Sequence, residues 1–227
     1  LVDKRAGIWI GDIKFKDLNG DGVINTDDQT IIGNPNPDFT FGFNNSFTYG
    51  PLDLVVYFTG SYGADILNYS RVQIEGMTNV YANQAATVFD RAQYNLIDPN
   101  GSDLDPANVT LANPGTDIPR PTTTDNNGNT RMSDRFIEDG SYLRIRNVTL
   151  GYNFKSLLKW ENVAGLRLYV TAQNALTFTK YPGLDPEIQA NANDTRGLGI
   201  SSDLAVGIDW GTVPAPRTFI AGLKIDF

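Results

Sequence analysis

The chain has 227 residues with 18 basic and 26 acidic side chains, a net charge of −8, which argues against a polyanion-binding surface; no basic cluster interleaved with aromatics points to nucleic acid. It contains neither cysteine nor histidine, which removes disulfide frameworks, thiolate or imidazole metal sites, and Ser-His-Asp or Cys-His catalysis. No run of about 18 apolar residues exists to form a transmembrane helix, and "LVDKRAGIWIGDIKF" carries neither a signal-peptide pattern nor an initiator methionine, so the start is expected to be internal to a longer chain.

The first element is an acidic loop. "DLNGDGVINTDD" follows the EF-hand-type pattern D-x-[DN]-x-[DN]-G. Asp17, Asn19 and Asp21 take positions one, three and five, and Gly22 permits the sharp turn at six. Val23 would offer its backbone carbonyl, Ile24 would point inward to pin the loop, and Asn25 stands at nine. Asp28 stands at twelve, where the longer Glu is usual, so weaker ligation is expected. Hard oxygen ligands suit calcium as a structural staple. The alternative is an Asn/Asp/Gly turn without metal, because these residues make turns on their own.

Period-two alternation dominates the rest. In "FTFGFNNSFTY" one phase holds Phe39, Phe41, Phe43, Asn45, Phe47 and Tyr49, the other Thr40, Gly42, Asn44, Ser46 and Thr48. A "GP" turn leads into "LDLVVYFTGSY", a second strand. A long irregular stretch follows, with a short helix expected in "NVYANQAATVFDRAQY". The third strand, "YLRIRNVTLGYNF", changes phase near Arg146 and Asn147, and one extra residue in a β-bulge restores a common apolar face. "KSLLKWENVAG" reads as a short connection with one helical turn. "LRLYVTAQNAL" is the fourth strand, and after another long loop "RTFIAGLKIDF" is the fifth.

The connections thus alternate short and long. An eleven-residue strand spans about 36 Å and, tilted by ~40°, rises about 28 Å, close to the ~25 Å apolar band of an outer-membrane barrel. The expected class is all-β, a transmembrane antiparallel barrel segment with apolar side chains on lipid and short turns in the periplasm. The segments are then 1–38 (outer loop with the calcium-type motif), 39–61 (hairpin), 62–140 (outer loop), 141–174 (hairpin), 175–216 (outer loop) and 217–227 (terminal strand, C-terminus periplasmic). A soluble β-sandwich alternates in the same way. It would make the chain a secreted, calcium-stabilised glycan-binding module. The five aromatics on one face of the first strand, and loops far longer than compact domains use, favour the barrel.

Catalysis has little support. Glu138 with Asp139, Asp185 with Glu187, Asp203 and Asp209 supply carboxylates of the kind glycoside hydrolysis needs, but solvated loop or pore-lining groups explain them more simply. Arg144, Arg146 and Arg167 fall on the polar phase of their strands; in a barrel they line the lumen, where acidic groups of a plug could pair with them, and in a sandwich they sit on the solvent face.

The stretches "GDIKFKDLNGDGVINTDDQTIIGNPNPDFTFGFNNSFTY", "DRFIEDGSYLRIRNVTLGY", "LRLYVTAQNALTFTKYPGLDPE" and "PRTFIAGLKIDF" resemble the C-terminal part of SusC/RagA-type TonB-dependent outer-membrane transporters of Bacteroidetes. The resemblance implies a barrel of about 22 strands around a plug, of which this chain supplies the last five or six. It also implies energy from TonB through an N-terminal region outside these residues, a SusD-like lid lipoprotein over the outer loops, and import of oligosaccharides or oligopeptides across a Gram-negative outer membrane. Phe227 and the alternation before it resemble the signal read by the barrel assembly machinery.

Overall fold

The computed structural model describes residues 4–79, 81–154, 163–188 and 206–227. In chain order its elements are β1 (Phe39–Tyr49), β2 (Leu52–Tyr62), β3 (Asp65–Asn68), α1 (Tyr69–Glu75), β4 (Tyr94–Leu96), β5 (Val109–Leu111), β6 (Ile137–Asp139), β7 (Tyr142–Asn153), β8 (Gly165–Thr179), β9 (Ile208–Asp209) and β10 (Thr218–Asp226), with short 3-10 turns between some of them. They group into two compact units, one of residues 33–67 with 138–227 and one of residues 1–32 with 68–137.

The first unit is built on a five-stranded sheet in the order β1-β2-β7-β8-β10, antiparallel at every pairing. Gly50, at a φ of +56°, closes the turn between β1 and β2 with Pro51; glycine enters this left-handed region without the penalty other residues meet. The register stacks the apolar phases of all five strands. Phe43 faces Phe58, which faces Ile145, which faces Leu176. Lower down, Leu54, Leu150, Val170 and Ala221 form a second row across β2, β7, β8 and β10.

This apolar face is not covered by another layer. Phe43 is 60% exposed, Val170 55% and Phe219 75%, where a sandwich would bury them between two sheets. Along β7, β8 and β10 the aromatics gather at the strand ends. Phe219 lies second in β10, opposite Ala172, while Phe178 sits at one end of the sheet with the stacked pair Phe39 and Tyr62, whose centroids lie 5.4 Å apart. Tyr49, Tyr152 and Phe154 sit at the other, the last two 4.5 Å apart. Strand β1 departs from this, being aromatic along most of its length. Phe41 needs a flat neighbour: a Cβ on Gly60, its cross-strand partner, would lie 2.3 Å from the ring.

The phase change in the third strand lies at Arg146. Phe58 and Tyr57 are adjacent in β2, yet their partners Ile145 and Asn147 have Arg146 between them. Strand β8 takes the irregularity further, placing Asn174 and Ala175 between the partners of those same two residues. It also continues to Thr179, past the Leu176 expected from its sequence pattern. The connection at residues 155–162, with its expected helical turn, and residues 189–205 lie outside the described residues. A second small sheet, β6-β3-β9, belongs largely to the same unit and buries Ile66.

The second unit has its own core of Trp9, Val72, Ala92, Val109, Ile118 and Phe136. Much of it comes from stretches whose Pro, Gly, Asn and Asp content reads as loop. The helix expected in 79–94 is a 3-10 turn at Ala86–Asp90, and the α-helix lies earlier, at Tyr69–Glu75. Asn68 starts it by accepting from Arg71 N at 3.2 Å, and tertiary burial of Val72 and Glu75 holds it; seven residues are too few for a helix to stand alone.

Candidate functional site

The other face of the five-stranded sheet is polar. Thr149 and Thr171 pair across β7 and β8 with oxygens 2.8 Å apart. Two strands away from each other, Asp53 of β2 and Arg167 of β8 form an ion pair, with Nε 2.9 Å from Oδ1. The strand between them presents Gly151, and a Cβ there would lie 2.5 Å from both the Asp53 carboxylate and the Arg167 guanidinium. The glycine therefore leaves the passage through which the two charges meet. Gly151→Leu is expected to destabilise the full-length protein by about 1–3 kcal/mol through overpacking. Gly115→Leu, where a Cβ meets nothing within 4 Å, serves as the control in thermal unfolding.

Toward the opposite end of β7 lies a denser cluster. Arg144 is buried and bonds Asp185, Glu187 at 2.9 Å and Thr177 Oγ1 at 3.0 Å. Arg146 bonds Glu187 and Thr59 Oγ1, the latter at 3.1 Å. The acidic partners expected from a plug domain are thus supplied by this chain: Asp53 for Arg167, and Asp185 with Glu187 for Arg144 and Arg146. Asp185 and Glu187 are both engaged by guanidinium donors. Asp209 is buried and takes the Tyr181 hydroxyl together with the Gly211 and Thr212 amides. Asp139 accepts from Ser141, whose side chain and backbone hold the carboxylate below its usual range. Asp203 lies outside the described residues.

The acidic loop closes on its own backbone. Asp17 accepts from the Gly20 and Gly22 amides, Asp21 from Val23 N and the Asn19 side chain, and Asn25 from Asp27 N. Asp28 accepts from Leu18 N at 2.8 Å and Asn25 N at 2.9 Å. The Asn25 and Leu18 amides lower its proton affinity below the ordinary carboxylate range. Each carboxylate oxygen of Asp17, Asp21 and Asp28 already holds one donor and keeps a second lone pair. Among the described residues, no three or more His, Cys, Asp or Glu side chains gather into a metal cluster. Ile24 does not pin the loop from within: it is 40% exposed and lines an open cleft with Phe15, Leu18 and Met132.

Sequence reasoning passed over Asp53, Thr177 and Asn174. A signal existed for Asp53, the one carboxylate in an otherwise apolar strand and on the phase that carries Thr59.

No family model matches the chain. Among known proteins it is 38% identical over 216 residues to "TonB-dependent receptor P3" of Formosa agariphila, covering 94% of this chain and 19% of that one. It is 29% identical over 215 residues to "TonB-dependent receptor SusC" of Bacteroides thetaiotaomicron, covering 94% and 17%. Among solved structures it superposes on the RagAB peptide transporter with a TM-score of 0.64 at 22% identity, covering 90% of this chain and 19% of that one. The chain spans about a fifth of the length of the relatives it matches.

Proposed function

This chain belongs to the TonB-dependent receptors of the SusC/RagA type, and we propose that it supplies C-terminal wall strands of an outer-membrane importer for oligosaccharides or oligopeptides. One observation carries the membrane reading. Five strands share a continuous, uncovered apolar face, while their other face carries threonines, glycines and paired charges. Water would penalise that exposed area; hydrocarbon would not. The proposal extends to a plug inside the barrel, a SusD-like lid lipoprotein, TonB as the source of energy, and outer loops that face the medium. The structure named for the RagAB peptide importer supports a peptide as one substrate class, and kinship with SusC supports the lid partner.

The test uses cells whose only copy of the full-length receptor is deleted or restored, with and without TonB. Uptake of a labelled oligosaccharide or oligopeptide pool should fall in both the receptor-null and the TonB-null strain. Uptake that persists in the receptor-null strain for every pool would overturn the assignment.

For the acidic loop we propose calcium binding by Asp17, Asn19, Asp21, the Val23 carbonyl, Asn25 and Asp28, supported by their spacing and hard-oxygen chemistry. Calorimetry of the full-length receptor should show a calcium signal that Asp17→Ala with Asp21→Ala removes. A parent protein silent at millimolar calcium would leave a self-capped turn.

A further inference from the structure

We propose that residues 181–187 form a fixed wall of the transport channel, clamped onto the polar face of the sheet by Arg144 and Arg146. This rests on the barrel reading above, since only in a barrel does that face line a channel.

The sheet is deformed where the segment docks. Arg146 is the extra residue of β7 relative to β2. Asn174 lies in the irregularity of β8 at the same height and has a φ of +49°, a region that non-glycine residues seldom enter, though asparagine does so more than most. Both side chains reach the connection between β8 and β10. Arg146 bonds Glu187, and Asn174 Nδ2 donates to the Pro216 carbonyl at 3.1 Å. In unbroken alternation Asn174 would follow Val170 and Ala172 onto the apolar face, and the irregularity turns it toward the connection. Bulges re-aim side chains in this way.

The clamp is buried at Arg144 and Asp185, half-buried at Arg146 and Glu187, and balanced in charge. Arg144 is 3% exposed and Asp185 5%, and two guanidinium groups meet two carboxylates. Lifting the segment would break the Arg144 contacts to Asp185 and Glu187 and the Arg146 contact to Glu187 together. Further ties hold both ends of the connection. Tyr181 is 5% exposed and donates to Asp209, its amide donates to Thr179 Oγ1 at 3.0 Å, and Ala215 N donates to Asp185 Oδ2 at 3.4 Å. A loop that swings with each transport cycle would need a small energy difference between its positions. Here the ion cluster and the Tyr181–Asp209 bond would have to break together. The segment therefore sets the channel's cross-section at this height, and substrate passes beside it.

Backbone hydrogen exchange of the full-length receptor in outer-membrane vesicles tests this, read on the peptide containing residues 181–187. Strong protection is expected in the parent. Arg146→Glu puts like charges beside Glu187 and should speed exchange about tenfold or more, as the opened population rises. Arg146→Lys, which keeps the positive charge opposite Glu187 and leaves the Arg144–Glu187 contact in place, should retain most of the protection. Should Arg146→Glu fail to insert, Glu187→Gln should accelerate exchange in the same direction by a smaller factor. Exchange in the parent at the rate of an unstructured segment, or a rate indifferent to these substitutions, would overturn the fixed wall. Uptake measured on the same cells separates the two readings. Protection without import sinks the import assignment, and import without protection sinks the clamp.

Discussion

Replacing Val170 with lysine will block assembly of the full-length receptor, while replacing its neighbour Thr171 with lysine will not. Val170 sits on the apolar face between Leu150 and Ala221, in the interior of β8, and is 55% exposed. A lysine near the bilayer midplane costs about 2–4 kcal/mol on the lipid face of a barrel, or roughly 30- to 1000-fold in the folded population. Thr171 points to the polar face beside Thr149, where an ammonium group stays hydrated. The two positions are adjacent in sequence and equal in depth, so the contrast isolates the face. Heat-modifiable mobility of the receptor from outer membranes measures it. Phe41→Asp and Leu168→Lys should act in the same direction with smaller effect, because both lie nearer the strand ends and the penalty falls toward the interfaces. Equal damage from Val170→Lys and Thr171→Lys would remove the lipid from the account.

Glu75→Ala should melt the second unit and leave the five-stranded sheet folded. Glu75 is buried and accepts from Arg71 at 3.2 Å, Arg135 at 2.8 Å and Thr87 at 3.3 Å. Arg135 in turn lies 4.6 Å over the ring of Phe136, which is only 1% exposed. Burial already lowers the proton affinity of the Arg135 guanidinium, and the charge of Glu75 opposes that trend. Removing the carboxylate leaves two arginines facing each other with only the exposed Asp117, 4.0 Å from Arg71, as a nearby counter-charge, a change that costs about 3–5 kcal/mol in buried pairs. Limited proteolysis of the full-length receptor should show new cuts within residues 68–137 while strand peptides stay intact. Glu75→Gln, which keeps an acceptor oxygen, should lose less. A variant as resistant as the parent would show that Val72, Phe136 and their neighbours hold the unit without the ion cluster.

The deformation of the sheet shows how far the sequence could be read. One extra residue in β7 shifts the alternation, so Arg146 announces its bulge in the order of apolar residues. In β8 two residues, Asn174 and Ala175, stand where β7 has one and β2 has none. Relative to β2 the excess is two, which brings Leu176 and Phe178 back into the phase of Leu166, so only the exchanged characters of Asn174 and Ala175 mark the irregularity. The acidic loop lies at the other extreme. Its spacing was legible in twelve residues, yet spacing cannot say whether the oxygens turn to an ion or to the loop's own amides. Residues 62–140 read as an irregular stretch with one short helix, because turn-forming composition hides a core drawn from single apolar residues spaced far apart.

Alternation alone was enough to assign strand positions, the apolar and polar face of each, and the barrel-type pattern of short and long connections, because side chains of an extended chain point alternately to either side and each strand carries its own phase. Only the folded chain could decide which charges meet. Arg144 finds Asp185 across 41 residues and Arg167 finds Asp53 across 114. Such pairs depend on strand order, on a glycine placed between two charges, and on two irregularities at one height. All three arise from how strands are laid beside one another, which no local pattern encodes.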